Sequence, residues 1–175
     1  MLSKDELIEL INTDVNQFNK EISSYSDGVD LSESDFSNIN INGAVFNNVD
    51  LTSSAFTDSN IVNTKFECCD LSSVDFTRSN IVECSFSESA LNGTDFSYAK
   101  VDYCNFADAD LAGAIFQGAD LMNSDFSLSE NLNACRFDDE TTWPDNEYLP
   151  EDFDSRYSSD LSSLKDDDDF EQSEY

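Results

Sequence analysis

Carboxylates are the side chains of this sequence with the greatest potential for chemistry, and histidine is absent. The chain of 175 residues contains 38 Asp and Glu, 8 Lys and Arg and no His, and its formal net charge is −30. Paired carboxylates can act as general acid and base, and clustered carboxylates can bind Ca²⁺. Acid–base chemistry needs a concave site that shields the carboxylates from water. The lack of histidine removes the most common general base and metal ligand.

A repeat of five residues determines where these carboxylates lie. Every fifth residue from Leu31 to Phe126 is large and apolar, and Phe alternates with Leu, Ile or Val without exception. Residues five apart lie about 140° apart around a helix and on opposite sides of a flat strand. A period of five therefore requires the chain to turn a corner in every unit.

Each unit also has a second inward position, two residues before the large one, which holds a small residue such as Ala44, Thr64 or Cys84. Residues two apart share one side of an extended segment, so both point inward. The position between them is mostly Asp or Asn and points outward. The two positions after the large residue favour Ser, Thr, Asn and Gly, which suit exposed turns.

The segments ADLAG at 109–113 and ADLMN at 119–123 show the pattern most clearly. Over residues 29–137 the sequence resembles the pentapeptide-repeat family. This resemblance implies an all-β fold, a right-handed quadrilateral β-helix with four pentapeptides per coil and about five to six coils. Phe would then lie on two opposite sides of each coil and aliphatic residues on the other two, which fills a narrow interior evenly.

With four units per coil, residues twenty apart stack in columns, and successive residues of a column lie about 4.8 Å apart. The outward carboxylates that we expect to contact a partner are Asp30, Asp50, Asp70, Asp110, Asp35, Asp75 and Asp95. Their spacing resembles no EF-hand loop, so we do not expect specific Ca²⁺ binding. The filled interior leaves no pocket, and the phosphate-binding motifs G-x-G-x-x-G and G-x-x-x-x-G-K-[ST] are absent. We therefore predict that the protein is not an enzyme and has no cofactor or metal.

The five cysteines fit the repeat better than they fit a reactive site. Cys69, Cys84 and Cys104 occupy the small inward position, and Cys135 occupies it relative to the next Phe. Cysteine often serves as a small buried hydrophobe. Cys68 points outward and has no second cysteine pair with which to form a zinc site. We expect free thiols in a reducing cytosol.

Residues 1–28 are predicted to form an N-terminal capping helix and a linker. Ser3 and Glu6 match a capping box, and residues 2–22 carry an apolar stripe. Such a helix would cover the open edge of the solenoid. Membrane binding is the alternative, but acids outnumber Lys4 and Lys20 in this region and anionic lipid would repel them. No signal peptide or apolar run long enough to cross a membrane is present, so we expect a cytoplasmic protein.

The repeat changes after Phe126. The next large residues are Leu132 and Phe137, so one residue is inserted within 127–131. Residues 138–148 are predicted to cap the C-terminal end, because their Trp-Pro segment resembles the one that often closes bacterial pentapeptide-repeat domains. Trp143 would cover the last Phe layer or, alternatively, bind a ligand.

Residues 149–175 form an acidic segment that we predict to be a disordered tail. Its spaced aromatic residues leave open that it folds onto a basic, partly apolar surface. Four consecutive carboxylates in this tail are further candidates for partner contact: Asp166, Asp167, Asp168 and Asp169.

The solenoid segment carries enough negative charge to be compared with DNA. Residues 29–137 contain seventeen acids and four bases. Over the expected length this is about one net charge per 2 Å, against about one per 1.7 Å for duplex DNA. Some members of the resembled family mimic DNA and occupy the DNA-binding site of type II topoisomerases. We predict a basic protein partner, with DNA-binding enzymes among the candidates, and we expect neither nucleic acid nor membrane to bind directly.

A second hypothesis uses a different surface. Val62, Val82 and Met122 fall at outward positions where polar residues are normal, and Tyr103 is adjacent. If exposed, they would form an apolar strip through which a structural adaptor could dock a partner. Scattered surface aliphatics that favour β-structure are the alternative interpretation.

Overall fold

Between residues 29 and 137 the backbone forms stacked four-sided coils in which residues twenty apart pair in parallel. The computed structural model describes residues 2–155. Strands β1 (Val29–Asp30) and β3 (Val49–Asp50) pair on one side. Strands β2 (Asn40–Asn42), β4 (Asn60–Val62), β5 (Asn80–Val82) and β6 (Lys100–Asp102) form a four-stranded parallel sheet on another. Isolated parallel bridges continue the same offset on all four sides as far as Glu130. The predicted quadrilateral β-solenoid is confirmed.

Phenylalanine fills the solenoid as two continuous stacks. Rings twenty residues apart lie parallel, with centroids 4.3–5.3 Å apart, as in Phe66 to Phe86 and Phe86 to Phe106. Rings from the two stacks meet edge to face at 5.8–6.2 Å. All twenty predicted large inward residues are buried, none more than 2% exposed. The alternation of Phe with aliphatic residues therefore gives every coil a similar filling.

The predicted small inward positions are also buried from Val29 to Ser124, and Ser129 is the exception because it is half-buried. Inward hydroxyls donate to carbonyls of the preceding coil: Ser79 Oγ lies 2.6 Å from Phe56 O, and Thr94 Oγ1 lies 2.7 Å from Leu71 O. These bonds satisfy polar groups that burial would otherwise destabilise.

The N-terminal cap contains two helices, α1 (Lys4–Thr13) and α2 (Val15–Ser23), instead of the single predicted helix. Asp14 (φ −151°) ends the first helix and caps the second, since its Oδ1 accepts from Gln17 N at 3.0 Å. The predicted capping box of α1 is present. The cap covers the solenoid edge: the Phe18 and Phe46 ring centroids are 5.2 Å apart, and the Asn19 amide bonds the backbone of Gly43 and Val45.

At the other end one residue is added between Glu130 and Arg136, where the pairing offset rises from twenty to twenty-one. Asn131 takes a left-handed conformation (φ 57°) before a 3₁₀ turn, Leu132–Ala134. Leu132 and the next two inward residues of the shifted register, Cys135 and Phe137, are buried as predicted.

The C-terminal cap is longer than predicted. The ring of Trp143 contacts Phe116, Phe126 and Phe137 at centroid distances of 5.3–5.9 Å, so it covers the last Phe layer. A 3₁₀ turn, Asn146–Tyr148, follows. Phe153 lies 4.6 Å from the ring of Trp143, so the predicted boundary at residue 148 is too early. Within residues 2–155, no helix is long and apolar enough to cross a membrane.

Candidate functional site

The outward residues form four columns, one on each side of the coils. We call the first the acidic face; its stacked positions are Asp30, Asp50, Asp70, Ala90, Asp110 and Glu130. The opposite side, half a coil away, is the asparagine face, with Asn40, Asn60, Asn80, Lys100 and Asp120. The second and fourth faces lie between these two.

The acidic face is a straight ladder of carboxylates without a base at any position. Asp30, Asp50 and Asp70 stack on successive coils and are exposed. Ala90 interrupts the ladder, and Asp110 then continues it to Glu130. Because the coils repeat about every 4.8 Å, neighbouring carboxylates of the ladder are close enough to repel each other.

Each of these aspartates also stabilises the corner that follows it. The Oδ1 atoms of Asp30, Asp50 and Asp70 accept from the backbone N–H two residues later at 2.9–3.0 Å. This is an Asx turn. One oxygen of each carboxylate is thus used by the fold, and because the three residues are exposed the second oxygen can accept from a partner. This structural role was not predicted from the sequence.

Hydrogen bonds to the charged form keep several carboxyls ionised. The Ser32 hydroxyl and then its N–H lower the pKa of Asp30. The side-chain amides of Asn92 (2.9 Å to Oδ2) and Asn131 (2.7 Å to Oδ1) lower the pKa of Asp110. Donors to a carboxylate stabilise its charge, so these positions are negative at neutral pH.

An open groove of about 460 Å³ marks the N-terminal end of the acidic face. Asp27 and the first three carboxylates of the ladder line it, together with Cys68. Lys4 donates to the Ser32 carbonyl nearby, and its charge adds to the lowering of the pKa of Asp30. Across residues 2–155, no group of three or more acids or cysteines is arranged to hold a metal ion.

The second face carries the other predicted aspartates, but its column is mixed. Asp75 and Asp95 stack directly, whereas Ala55 separates Asp35 from Asp75, and Ile115 and Arg136 follow. All three aspartates form the same Asx turns, at 2.8–2.9 Å. The backbone N–H of Ser37 is the largest cause that lowers the pKa of Asp35.

The asparagine face is close to neutral. Asn80 Nδ2 donates to Asn60 Oδ1 at 2.7 Å, and Asn60 Nδ2 donates to Asn40 Oδ1 at 2.8 Å. At its edges, Arg78 makes two 2.8 Å bonds to Asp58, and Lys100 pairs with Asp102 at 3.1 Å. The acidic and asparagine faces therefore differ sharply in charge.

The predicted apolar strip is only partly formed. Val62 and Val82 stack directly but are half-buried, and Asp102 separates them from Met122. Met122 is 59% exposed and Tyr103 is 63% exposed. Tyr98, which the sequence analysis did not single out, is 61% exposed at the opposite corner of the asparagine face.

The cysteines occupy the predicted environments. Cys69, Cys84, Cys104 and Cys135 are buried, and Cys68 is exposed. Burial raises the pKa of Cys69 to about 12. Desolvation, and then the Glu88 carboxylate 3.8 Å from its sulfur, raise the pKa of Cys68. A protonated thiol is a weak nucleophile, so Cys68 and Cys69 lack the electropositive surroundings of a reactive cysteine.

One contributor to the acidic face escaped the sequence analysis. Glu130 stands twenty residues after Asp110, so the column spacing was sufficient to find it, but it lies beside the register change. The tail carboxylates at 166–169 lie outside the described residues.

Comparisons with known proteins agree on the fold. The sequence profile of the pentapeptide repeat region matches residues 27–96 and 61–141. The crystal structure of Rfr23, a pentapeptide repeat protein from the cyanobacterium Cyanothece 51142, has a TM-score of 0.62 at 18% identity, and the match covers 73% of this chain and 98% of Rfr23. A search of curated proteins gives no significant match.

Two further solved structures share the repeat with less overlap. HetL, from the cyanobacterium Nostoc sp. strain PCC 7120 and involved in the regulation of heterocyst differentiation, gives a TM-score of 0.46 at 20% identity, covering 65% of this chain and 51% of HetL. QnrB1, a plasmid-mediated fluoroquinolone resistance protein, gives 0.36 at 17% identity, covering 67% of this chain and 78% of QnrB1. The Rfr23 likeness shows the fold alone. Together with the profile match over more than half of its length, the stacked coils show that this chain belongs to the pentapeptide-repeat family.

Proposed function

We propose that this protein is a non-enzymatic interaction module that binds a basic surface of another protein through its acidic face. The observation that carries this proposal is the ladder of Asp30, Asp50, Asp70, Asp110 and Glu130 with no base among its positions. At Asp30, Asp50 and Asp70 the Asx turn uses Oδ1, so Oδ2 is available to Lys or Arg side chains of a partner. Charge-assisted hydrogen bonds of this kind are stronger than neutral ones.

A rigid scaffold supports this use. The ladder stands on a backbone whose hydrogen bonds and Phe stacks hold successive coils in register. Little conformational entropy is therefore lost on binding. Nucleic acid is an unfavourable partner because its phosphates and this face have the same sign.

A DNA-binding protein is the partner class that we favour. The net charge per unit length of the solenoid approaches that of duplex DNA, and a surface built for DNA carries the Lys and Arg that such a column attracts. The acidic tail adds negative charge in sequence, with Asp166, Asp167, Asp168 and Asp169 as its densest run.

The test separates this face from the general charge of the protein. Asp50→Asn/Asp70→Asn removes two adjacent charges but keeps the Asx turns, because Asn105 forms the same turn at 2.9 Å. Asp75→Asn/Asp95→Asn removes two adjacent charges from the second face and is the matched control. Binding to a lysine-rich peptide is measured for both at about 50 mM salt. We expect a larger loss of affinity for the acidic-face variant; equal losses would contradict the proposal.

The hypothesis that the partner is a type II topoisomerase has its own assay. The purified chain is added to DNA gyrase during supercoiling of relaxed plasmid, with the acidic-face variant in parallel. Inhibition that the Asp50→Asn/Asp70→Asn variant loses would support DNA mimicry. No inhibition at micromolar concentration would remove gyrase as the partner while leaving the peptide result as the test of the acidic face.

A further inference from the structure

Exposed large apolar side chains occur only in the second half of the described chain. Within residues 2–155 they are Tyr98, Tyr103, Met122, Leu128 and Tyr148. The first three border the asparagine face, on the side of the solenoid opposite the acidic face. Single exposed apolar residues are ordinary, but three around one small area indicate a surface suited to contact.

The three side chains surround one part of the asparagine face. Tyr98 and Tyr103 occupy the two corners on either side of β6, with Lys100 and Asp102 between them. Met122 is one coil further along the axis, directly after Asp102 in its column. Both tyrosines hold left-handed conformations (φ 59° and 54°), so their backbone positions are fixed by the corners.

Tyr98 is held in place by a glycine of the next coil. A Cβ atom added to Gly118 would lie 2.6 Å from Cδ1 of Tyr98, so the ring packs directly against the Gly118 backbone. Gly118 N in turn donates to Asp138 Oδ1 at 3.0 Å, which ties this coil to the C-terminal cap. An aromatic ring that is already positioned loses little side-chain entropy on binding.

One acid between these residues is paired within the molecule. Asp102 bonds both Lys100, at 3.1 Å, and Asn123, at 2.8 Å. Asp120 is different: it accepts from Thr142 Oγ1 at 3.0 Å, and in residues 2–155 it forms no ion pair. It lies between Gly118, which supports Tyr98, and Met122. Lys100, its neighbour in the column, is ion-paired to Asp102, so these two carboxylates share one base and this area is left with negative charge.

We propose that Tyr98, Tyr103 and Met122, which we call the tyrosine patch, dock an apolar segment of a partner protein that carries one Lys or Arg opposite Asp120. Tyr and Met are enriched in the centres of protein interfaces, whereas Lys and Glu are depleted. Asp120 is half-buried, and partly buried charge pairs are screened less than exposed ones, so this contact should depend less on ionic strength than binding at the exposed acidic face. The patch is therefore a second binding surface that acts independently of the acidic face and faces the other way.

The probe is a random twelve-residue peptide library displayed on phage, selected on the full chain in about 0.5 M NaCl, where binding to exposed charges is screened. The variant Tyr98→Asn/Tyr103→Asn/Met122→Asn places at each position the residue that the chain itself uses in the same column, at Asn38, Asn63 and Asn42. Leu128→Asn is the matched control, because Leu128 is 66% exposed on another corner and its column contains Asn48.

Selected peptides are expected to contain at least two large apolar residues and one Lys or Arg. Their affinity should fall about ten-fold or more on the triple variant and stay within about two-fold on Leu128→Asn. Circular dichroism and thermal unfolding establish that both variants keep the fold. Equal binding to wild type and triple variant, or failure to enrich any peptide, would overturn the proposal.

The role of Asp120 has a separate readout. Asp120→Asn keeps an oxygen acceptor for Thr142 and Met122 but removes the charge. It should weaken the Lys- or Arg-containing peptide several-fold and leave the same peptide with norleucine at that position unchanged. Enrichment of only Lys- and Arg-rich peptides, whose binding is lost in Asp50→Asn/Asp70→Asn, would place all binding on the acidic face and contradict the tyrosine patch.

Discussion

At the residue scale, the outward aspartates serve two purposes that substitutions can separate. The carboxylate caps a corner and also supplies surface charge, and Asn retains the first property alone. We expect Asp70→Ala to reduce the free energy of unfolding by about 0.5–1.5 kcal/mol through loss of the bond from Ser72 N, 3.0 Å long. Asp70→Asn should change it by less than about 0.5 kcal/mol. Urea denaturation measures both; equal losses would show that the charge, and not the turn, stabilises this position.

Asp110 gives the fold a dependence on pH. Its pKa is lowered by Asn92 and Asn131, so the charged form is favoured in the folded state. A carboxyl with a lowered pKa contributes stability above its unfolded pKa, and that contribution is lost as the pH falls through the folded value. We therefore expect Asp110→Asn to be destabilising at pH 7 and to match the wild type more closely below about pH 3. Thermal unfolding at both pH values checks this, and a difference that does not narrow in acid would contradict it.

At the element scale, stability depends on contacts between neighbouring coils. Phe86 stacks on Phe66 and Phe106 at 5.2 and 4.9 Å and meets Phe76 and Phe96 edge to face. Phe86→Ala should cost about 3–5 kcal/mol, because the rigid coils cannot collapse onto the cavity. Phe86→Leu keeps more of the apolar volume and should cost less. Urea denaturation compares them, and similar losses would indicate that ring stacking outweighs volume.

The core was predictable from the sequence because a period of five requires a backbone that turns a corner in every unit, which fixes the residues that point inward. The spacing alone placed every inward residue from Leu31 to Phe126, and the residues after the insertion followed once the shift was counted. The break between α1 and α2 was not predictable from the apolar stripe, which runs through Asp14 without interruption. The apolar stripe indicates which side chains are buried. The break between the helices depends on the φ of Asp14 and on the bond that its side chain accepts from Gln17 N.

The candidate surfaces were predictable only in part. Column spacing stacked Asp30, Asp50 and Asp70 correctly, since position in a repeat fixes the side of the solenoid. The interruption of the apolar strip at Asp102 follows from the same spacing, because Asp102 lies twenty residues after Val82, but it was not predicted. The packing of Tyr98 on Gly118 and the pairing of Asp102 with Lys100 are side-chain contacts. Composition and spacing carry no information about those contacts.

At the scale of the whole molecule, charge repulsion opposes the packed columns. Residues 29–137 hold seventeen acids and four bases on a narrow scaffold, and the acidic face places like charges on neighbouring coils. Screening this repulsion should stabilise the fold, so we expect the melting temperature to rise between about 10 and 300 mM NaCl. The rise should be smaller for Asp50→Asn/Asp70→Asn. A melting temperature that is independent of salt would show that the repulsion persists unchanged in the unfolded chain.

The offset of twenty residues between paired positions gives this architecture a kind of reading frame. Removing twenty residues deletes one coil and leaves every later side chain on its original face. Removing five residues would shift every later side chain to the neighbouring face. Excising residues 71–90 would seat Asp110 directly above Asp70 and close the gap that Ala90 leaves in the ladder. Deletion of a whole coil thus shortens the solenoid and keeps every later residue on its side, whereas deletion of five residues moves every later residue to the adjacent side.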